Sequence, residues 1–269
     1  MNVSEVIAAL GGLLIISCIA DEFETWCNSL PSAAGDSPTN ADPTDASCTT
    51  QGNGVILSVY YHGSCYTHDR LAPQNVGKLW KCFENDCNRR AGGRLAIIPT
   101  QAIGQAVLDA MFGNTVGCPF IGLKKLNGVW HWTDVGGGLG SIPALLDPGF
   151  MYNGANDRAC LEKPGAANPY KIGSCAATTC SRWWFCEYPN PHAPLKFVRT
   201  STETQGAVGY QIIQTNETLN LQCAHKCGDV AVCGAYSYNK DTLDCRLYHY
   251  QAPANVTAAG YRFYVRQDV

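Results

Sequence analysis

The chain has 269 residues and a net charge of -3, so it can hold one large domain or two small ones. The balanced charge offers no basic surplus for nucleic acid or for an anionic membrane. Charged residues make up only 15%, while Gly, Pro, Tyr and Trp are plentiful, which argues against a helical bundle and for a loop-rich β or α+β protein.

Residues 1–20 hold an apolar run from Val6 to Ile19 that ends in Ala20, with Cys18 three positions from the end. Small residues at such a boundary, followed at once by the polar "DEFETWCNSL", predict a secretory signal peptide, although the start carries Glu5 and no Lys or Arg. The run is short for a membrane span, and no second run of spanning length follows. Residues 21–47 form an N-terminal segment whose small, polar, Pro-containing stretch 31–47 reads as a flexible linker. A second break, "YPNPHAP" at 188–194, holds three prolines in seven residues and cannot continue a helix or a central strand. It separates 48–188 from 195–269, with 189–194 as linker. Fifteen cysteines less Cys18 in the signal leave fourteen, an even number that reads as a disulfide framework in an extracellular chain. No Cys-x-x-Cys, His-x₃-His or His-Glu-x-x-His pattern points to zinc.

In the first segment, "SVYYHGSCYTH" (58–68) alternates aromatic and small residues and predicts one strand of a hairpin, with Cys48 on the other arm. "NVGKLWKCFENDCNRRAGG" places Trp80, Phe83 and Cys87 on one helical face and ends at Gly92-Gly93. "RLAIIP" reads as a short buried strand. "TQAIGQAVLDAMF" predicts a second helix, capped by Thr100, with Ile103, Val107, Ala110 and Met111 on one face. "CPFIGLKKLNGVWHWTD" predicts two strands around an Asn127-Gly128 turn. Trp130, Trp132 and one of Trp183 and Trp184 are expected in the core. "GGGLG" (136–140) reads as a flexible loop without the following helix that phosphate binding needs.

This order of elements resembles a C-type lectin-like domain. "GSCY" is similar to the end of that family's first hairpin. "LWKCFENDCNRRAGGRLAII" resembles its Trp-x-x-Ala-x₃-Cys helix and Gly-x-Leu-Ala, with Phe83 in place of the small residue. "FIGL" (120–123), "WHWTD" and "FCEYP" resemble its Trp-Ile-Gly-Leu strand, its Trp-x-Trp-x-Asp and its closing strand, with Phe120 in place of Trp. The resemblance implies disulfides Cys87–Cys186, Cys160–Cys175 and Cys48–Cys65. It leaves Cys27, Cys82, Cys118 and Cys180 without assignment, and Cys180 can replace Cys175 as partner of Cys160.

Calcium-dependent members of that family bind sugar through a Glu-Pro-Asn or Gln-Pro-Asp tripeptide and a Trp-Asn-Asp motif. The matching stretches here are "NGAND" (153–157) and "YKIGSC" (170–175). Gly154 and Ala155 stand where Glu and Pro would, and Lys171 and Ile172 stand where Asn and Asp would. Lysine has no acceptor atom and repels a cation, and isoleucine has no polar atom. Asn156, Asp157 and Glu162 alone remain as oxygen donors, too few for a hard cation. No cofactor is therefore expected, calcium included. Tyr152, Asn156, Asp157, Tyr170 and Lys171 are the candidate binding residues, and Tyr152, Tyr170, Trp183 and Trp184 are candidates for an aromatic platform.

In the second segment, "TLNLQCAHKC" predicts a helix with Leu219, Cys223 and Cys227 at spacings of four, and "CGAYSYN" and "CRLYHY" predict a hairpin around "NKDTLD". "YRFYVR" predicts a closing strand. The spacing Cys-x₃-Cys-x₅-Cys-x₁₁-Cys with "AYSYNKDTLDCRLY" resembles a PAN/apple domain, which implies a helix on an antiparallel sheet with bridges Cys223–Cys245 and Cys227–Cys233. Asn216 and Asn255 head glycosylation acceptor sequences, Asn-Glu-Thr and Asn-Val-Thr.

The expected fold is thus α+β and disulfide-rich: a C-type lectin-like domain with two helices, antiparallel sheets and a long loop, then a small PAN/apple domain. No nucleophile with its base, carboxylate pair, phosphate loop or dinucleotide fingerprint supports catalysis. The expected protein is secreted and non-enzymatic. It recognises glycans on microbial or self surfaces, or extracellular proteins as an adhesion or matrix component, and reaches membranes only through a ligand.

Overall fold

The computed structural model describes residues 57–61, 63–70, 83–84, 87–88, 93–112, 119–146, 150, 158–162, 171–174, 183–189, 195–250 and 252–267. These residues are mostly β-sheet with two helices, an α+β arrangement cross-linked by several disulfides. The predicted signal, the 31–47 linker and most of the helix predicted after residue 74 lie outside them, although Phe83, Glu84, Cys87 and Asn88 are helical.

The stretch predicted as one strand is itself a whole hairpin, β1 (Leu57–Tyr61) and β2 (Ser64–Arg70), because the chain turns at Gly63. β3 is only Arg94–Leu95, yet its continuation Ala96–Ile98 is fully buried and bonded on both sides. Ala96 N–H donates to the Phe185 carbonyl at 2.9 Å, and Gly122 N–H donates back to the Ala96 carbonyl at 2.9 Å. The capped helix forms as predicted: α1 spans Gln101–Phe112, and Ile103 N–H donates to Thr100 Oγ1 at 3.2 Å. Ile103, Val107 and Leu108 bury its inner face, while the side chains of Ala110 and Met111 lie outside the described residues. β4 (Phe120–Leu126) and β5 (Val129–Trp132) meet at the Asn127-Gly128 turn, with φ of 48° and 84°, the geometry that matches strand twist. β6 (Ile142–Pro143), β7 (Arg158–Glu162), β8 (Lys171–Ser174) and β9 (Trp183–Pro189) complete a sheet whose main order is β1-β2-β9-β4-β5-β6.

The second sheet has the order β10 (Lys196–Gly206), β14 (Ala254–Gln267), β12 (Cys233–Asn239), β13 (Asp244–His249), β11 (Gln211–Asn216). β12 and β13 form the expected hairpin, and β14 extends well before "YRFYVR". β10 and β11 were not expected from the sequence. β10 is rich in Thr and charged residues, and its face is set by pairing with β14 through three register shifts rather than by a clean apolar alternation. α2 spans Asn220–Asp229, so Leu219 precedes the helix instead of joining its buried face. Gln222 Oε1 accepts the Leu219 N–H at 3.0 Å and starts the helix there, leaving Leu219 exposed. Cys223 and Cys227, one turn apart, tie α2 to β13 through Cys245 and to β12 through Cys233. Cys87 is bonded to Cys186 in β9. Cys65 and Cys160 are also disulfide-bonded; Cys48 and Cys175 lie outside the described residues.

The two sheets share a core. One apolar cluster contains Ile121, Leu123, Trp132 and Phe185 from the first and Val230, Val232, Tyr236 and Leu247 from the second. The Gly-rich loop after β5 makes the joint, and it is not the free loop that its composition suggests. Ala231 N–H donates to the Val135 carbonyl at 2.8 Å, and Val135 N–H closes the loop on the Gly140 carbonyl at 3.0 Å. Gly136 has φ of 87° and lies flat against the end of α2, where a Cβ would strike the Asp229 carbonyl oxygen. Gly136→Ala should therefore cost roughly 2–4 kcal/mol from left-handed strain plus overlap. In a denaturant titration, one cooperative transition should split into two as the sheets uncouple.

Candidate functional site

The position that carries sugar chemistry in the lectin-like pattern falls on β8. Its ladder with β7 pairs Leu161 with Ile172 and Glu162 with Lys171. Strand alternation then sends neighbouring side chains to opposite faces. Ile172 is 0% exposed within the main core, and its N–H donates to the Phe150 carbonyl at 2.7 Å. Lys171 is half-buried at the end of the ladder. Of the five candidate binding residues, Lys171 is described; Tyr152, Asn156, Asp157 and Tyr170 lie outside the described residues. A cation and a buried alkyl chain do not fit a calcium ion, which takes six to eight oxygens. Among the described residues, no group of three or more His, Cys, Asp or Glu side chains is placed to hold a metal.

The aromatic platform loses one of its candidates. Trp184 is 1% exposed and stacks on Phe83 at a centroid distance of 4.6 Å, with 9° between the rings. A smaller residue at position 83 would leave a void there; the pair of large rings fills the space between the helical segment and the sheet. Trp132 is equally buried, but Trp130, expected in the core, is only partly covered. Lys125 Nζ lies 5.1 Å from its ring centroid, a cation–π contact at the rim of the β4–β5 hairpin. Trp130 alternates with His131, whose Nδ1 is buried without a hydrogen bond. Beside it at the hairpin tip, Val129 is exposed, and Trp130 itself is half-buried against the core while the side chain of Trp183 lies outside the described residues.

A polar network that the sequence did not reveal lies within the first sheet. Glu187, in the closing strand β9, is 3% exposed. It accepts from Arg94 Nε at 3.2 Å, Arg94 Nη2 at 3.1 Å, Ser64 Oγ at 2.8 Å and Ile97 N–H at 3.0 Å. Arg94 Nη1 also donates to the Asp134 carbonyl at 3.2 Å, which holds the start of the Gly-rich loop. Burial pushes the neighbouring Tyr66 hydroxyl well above its ordinary value, and the charge of Glu187 adds to this. The buried pair works as an anchor, with both carboxylate oxygens taken up by hydrogen bonds. The outer part of the second sheet carries a comparable group. Asp244 accepts from Arg246 Nε at 2.8 Å, from Gln214 Nε2 at 2.9 Å and from the Tyr261 hydroxyl, while the Arg246 guanidinium lies 5.0 Å from the Tyr261 ring centroid.

His249 closes β13 at 7% exposure. Burial lowers its pKa to about 4 from the ordinary 6.5. It is neutral at physiological pH, and among the described residues no carboxylate hydrogen-bonds it. Comparison of the chain with known protein families finds none that matches, and comparison with curated proteins finds no significant match.

Two outcomes follow from this geometry. Lys171→Asn with Ile172→Asp should bind no calcium in a calorimetric titration, and Ile172→Asp alone should cost about 3 kcal/mol or more by burying a carboxylate. The His249 imidazole takes up a proton near pH 6.5 when unfolded but only near pH 4 when folded. Between those values the unfolded chain binds more protons, so stability must fall as pH falls. About 2 kcal/mol should be lost between pH 7.5 and pH 5, read from urea midpoints, and His249→Leu should flatten that slope.

Proposed function

We propose that this chain is a secreted, non-enzymatic recognition or adhesion protein, built from a C-type lectin-like module and a PAN/apple module, that binds carbohydrate or protein ligands without calcium. The observation that carries this reading is a pair of helix-to-sheet ties in the right order along the chain. Cys87–Cys186 joins a helical segment to the closing strand of the first sheet. Cys223–Cys245 and Cys227–Cys233 then pin α2 to the middle strands of the second. Every described cysteine is bonded, which is the chemistry of an oxidising compartment. No described helix is long and apolar enough to cross a membrane.

The buried Ile172 and the cationic Lys171 favour the calcium-independent form of the reading, since the usual second half of the metal site is absent. A protein ligand with no glycan binding is the alternative, and the burial of Trp184 favours it by removing one ring face on which a sugar would stack.

A glycan array probed with the mature protein, with and without EDTA, separates these outcomes. Sugar binding indifferent to chelator is the expected result. Binding abolished by chelator would overturn the calcium-independent reading. No glycan signal, together with a partner captured from extracellular fluid, would favour protein adhesion.

A further inference from the structure

The corner where β11 runs into α2 is unusually apolar for a surface. Leu219 is 59% exposed at the helix start, Leu221 is 64% exposed in its first turn, and Leu243 is 39% exposed at the β12–β13 turn. They are neighbours: Glu217 N–H donates to the Leu243 carbonyl at 2.8 Å, and Leu243 adjoins Asp244, the cross-strand partner of Asn216. Leu243 also holds φ of 58°, a conformation that a leucine adopts only when the surroundings impose it. β11 lies at one end of the sheet order and pairs with β13 alone among the described residues, so its outer edge offers unpaired backbone groups. Exposed leucines beside a free strand edge favour association between copies of a chain.

What covers this corner is written into it. Asn216 is the last residue of β11, its side chain is exposed, and it heads the acceptor sequence Asn216-Glu217-Thr218. We propose that an N-linked glycan on Asn216 shields Leu219, Leu221, Leu243 and the edge of β11, and thereby keeps the protein monomeric. The inference rests on the secretory reading above, because the donor is a polyprenyl-diphosphate oligosaccharide of the secretory pathway. The sugar's anomeric carbon forms a bond to Asn216 Nδ2 as its bond to the diphosphate oxygen breaks. The diphosphate leaves with the electron pair, and the amide gives up one proton. The bulky, hydrated product then stands at the end of the strand, with Leu219 and Leu221 following in sequence and Leu243 next to Asp244, the residue paired with Asn216.

The test uses the full chain, exported from glycosylating eukaryotic cells as wild type, Asn216→Gln and Thr218→Ser, which keeps the acceptor sequence. Peptide mass mapping should find Asn216 occupied in wild type and Thr218→Ser. Analytical ultracentrifugation should find both monomeric, with the oligomer fraction of Asn216→Gln raised roughly tenfold. Enzymatic removal of the glycan from folded wild type should give the same rise, which sets aside any folding defect of the variant. Adding Leu219→Ser and Leu221→Glu to Asn216→Gln should restore the monomer; the serine also supplies a helix-capping oxygen, and the glutamate suits the helix start. A disulfide-bonded, exported chain that is unmodified at Asn216, or that stays monomeric after the glycan is removed, would overturn this inference alone. A chain retained in the cell with reduced cysteines would overturn the secretory reading with it. Association that persists after the leucine replacements would sink the assignment of the corner.

Discussion

A buried carboxylate holds this structure together. Glu187 sits in the last strand of the first sheet, where an unpaired charge would cost several kcal/mol. Its two oxygens take four hydrogen bonds, from Arg94, from Ser64 at the start of β2 and from the backbone of Ile97. Three separate stretches of the first segment are thus drawn to one point. Arg94 spends a further donor on the Asp134 carbonyl, which sets the path of the Gly-rich loop. That loop in turn supplies the Val135 carbonyl to Ala231 and the flat face of Gly136 to the end of α2. The order of dependence runs from a charge in one sheet, through a guanidinium and a turn, to the placement of the other sheet. A pair of this kind adds little to net stability compared with an apolar substitute. Its contribution is to select one arrangement, because any other leaves a donor or an acceptor without a partner in the core.

The consequence for binding is mechanical. Two sheets strung on a flexible linker would sample many separations, and simultaneous attachment to one surface would gain from the linker's reach. Here a shared apolar cluster and a backbone hydrogen bond join them. Faces on the β4–β5 hairpin and on the second sheet are presented at a set distance and angle. A ligand that touched both would have to match that geometry, without the cost of ordering one sheet against the other.

Local features of the fold were legible where short-range chemistry decides. Thr100 caps α1, Asn127-Gly128 turns the β4–β5 hairpin, and the four cysteines of the second segment sit where a helix can reach two neighbouring strands. Tertiary decisions were not legible. Glu187 sits one residue after a cysteine in a strand, and nothing local says that its carboxylate is buried rather than solvated. "GGGLG" has the composition of a mobile loop, and only the approach of Asp229 explains why Gly136 lacks a side chain. Leu219 fits the apolar spacing of α2 but falls one residue before it, since the Gln222 side chain starts the helix after it. β10 escaped notice because its polar and threonine-rich residues become a strand through pairing with β14. Around the candidate site, it was readable that the side chains of Lys171 and Ile172 offer a calcium ion no oxygen. That Ile172 is a core residue, and that Trp130 is more accessible than Trp132, depended on which way each strand faces.

The tie between Cys87 and Cys186 has a topological side as well. It closes a covalent ring across a sequence separation of 99, and a ring of that size removes about 5 kcal/mol of chain freedom from the unfolded state. Everything from α1 to β8 lies inside that ring, including the Gly-rich joint to the second sheet. A single proteolytic cut anywhere within it opens the ring but releases nothing, since both new ends remain attached through the bridge. Nicked and intact molecules then differ in mass only by the water added at the cut, and the fragments separate only once the disulfide is reduced. A single cut between Cys87 and Cys186 therefore does not separate the two sheets.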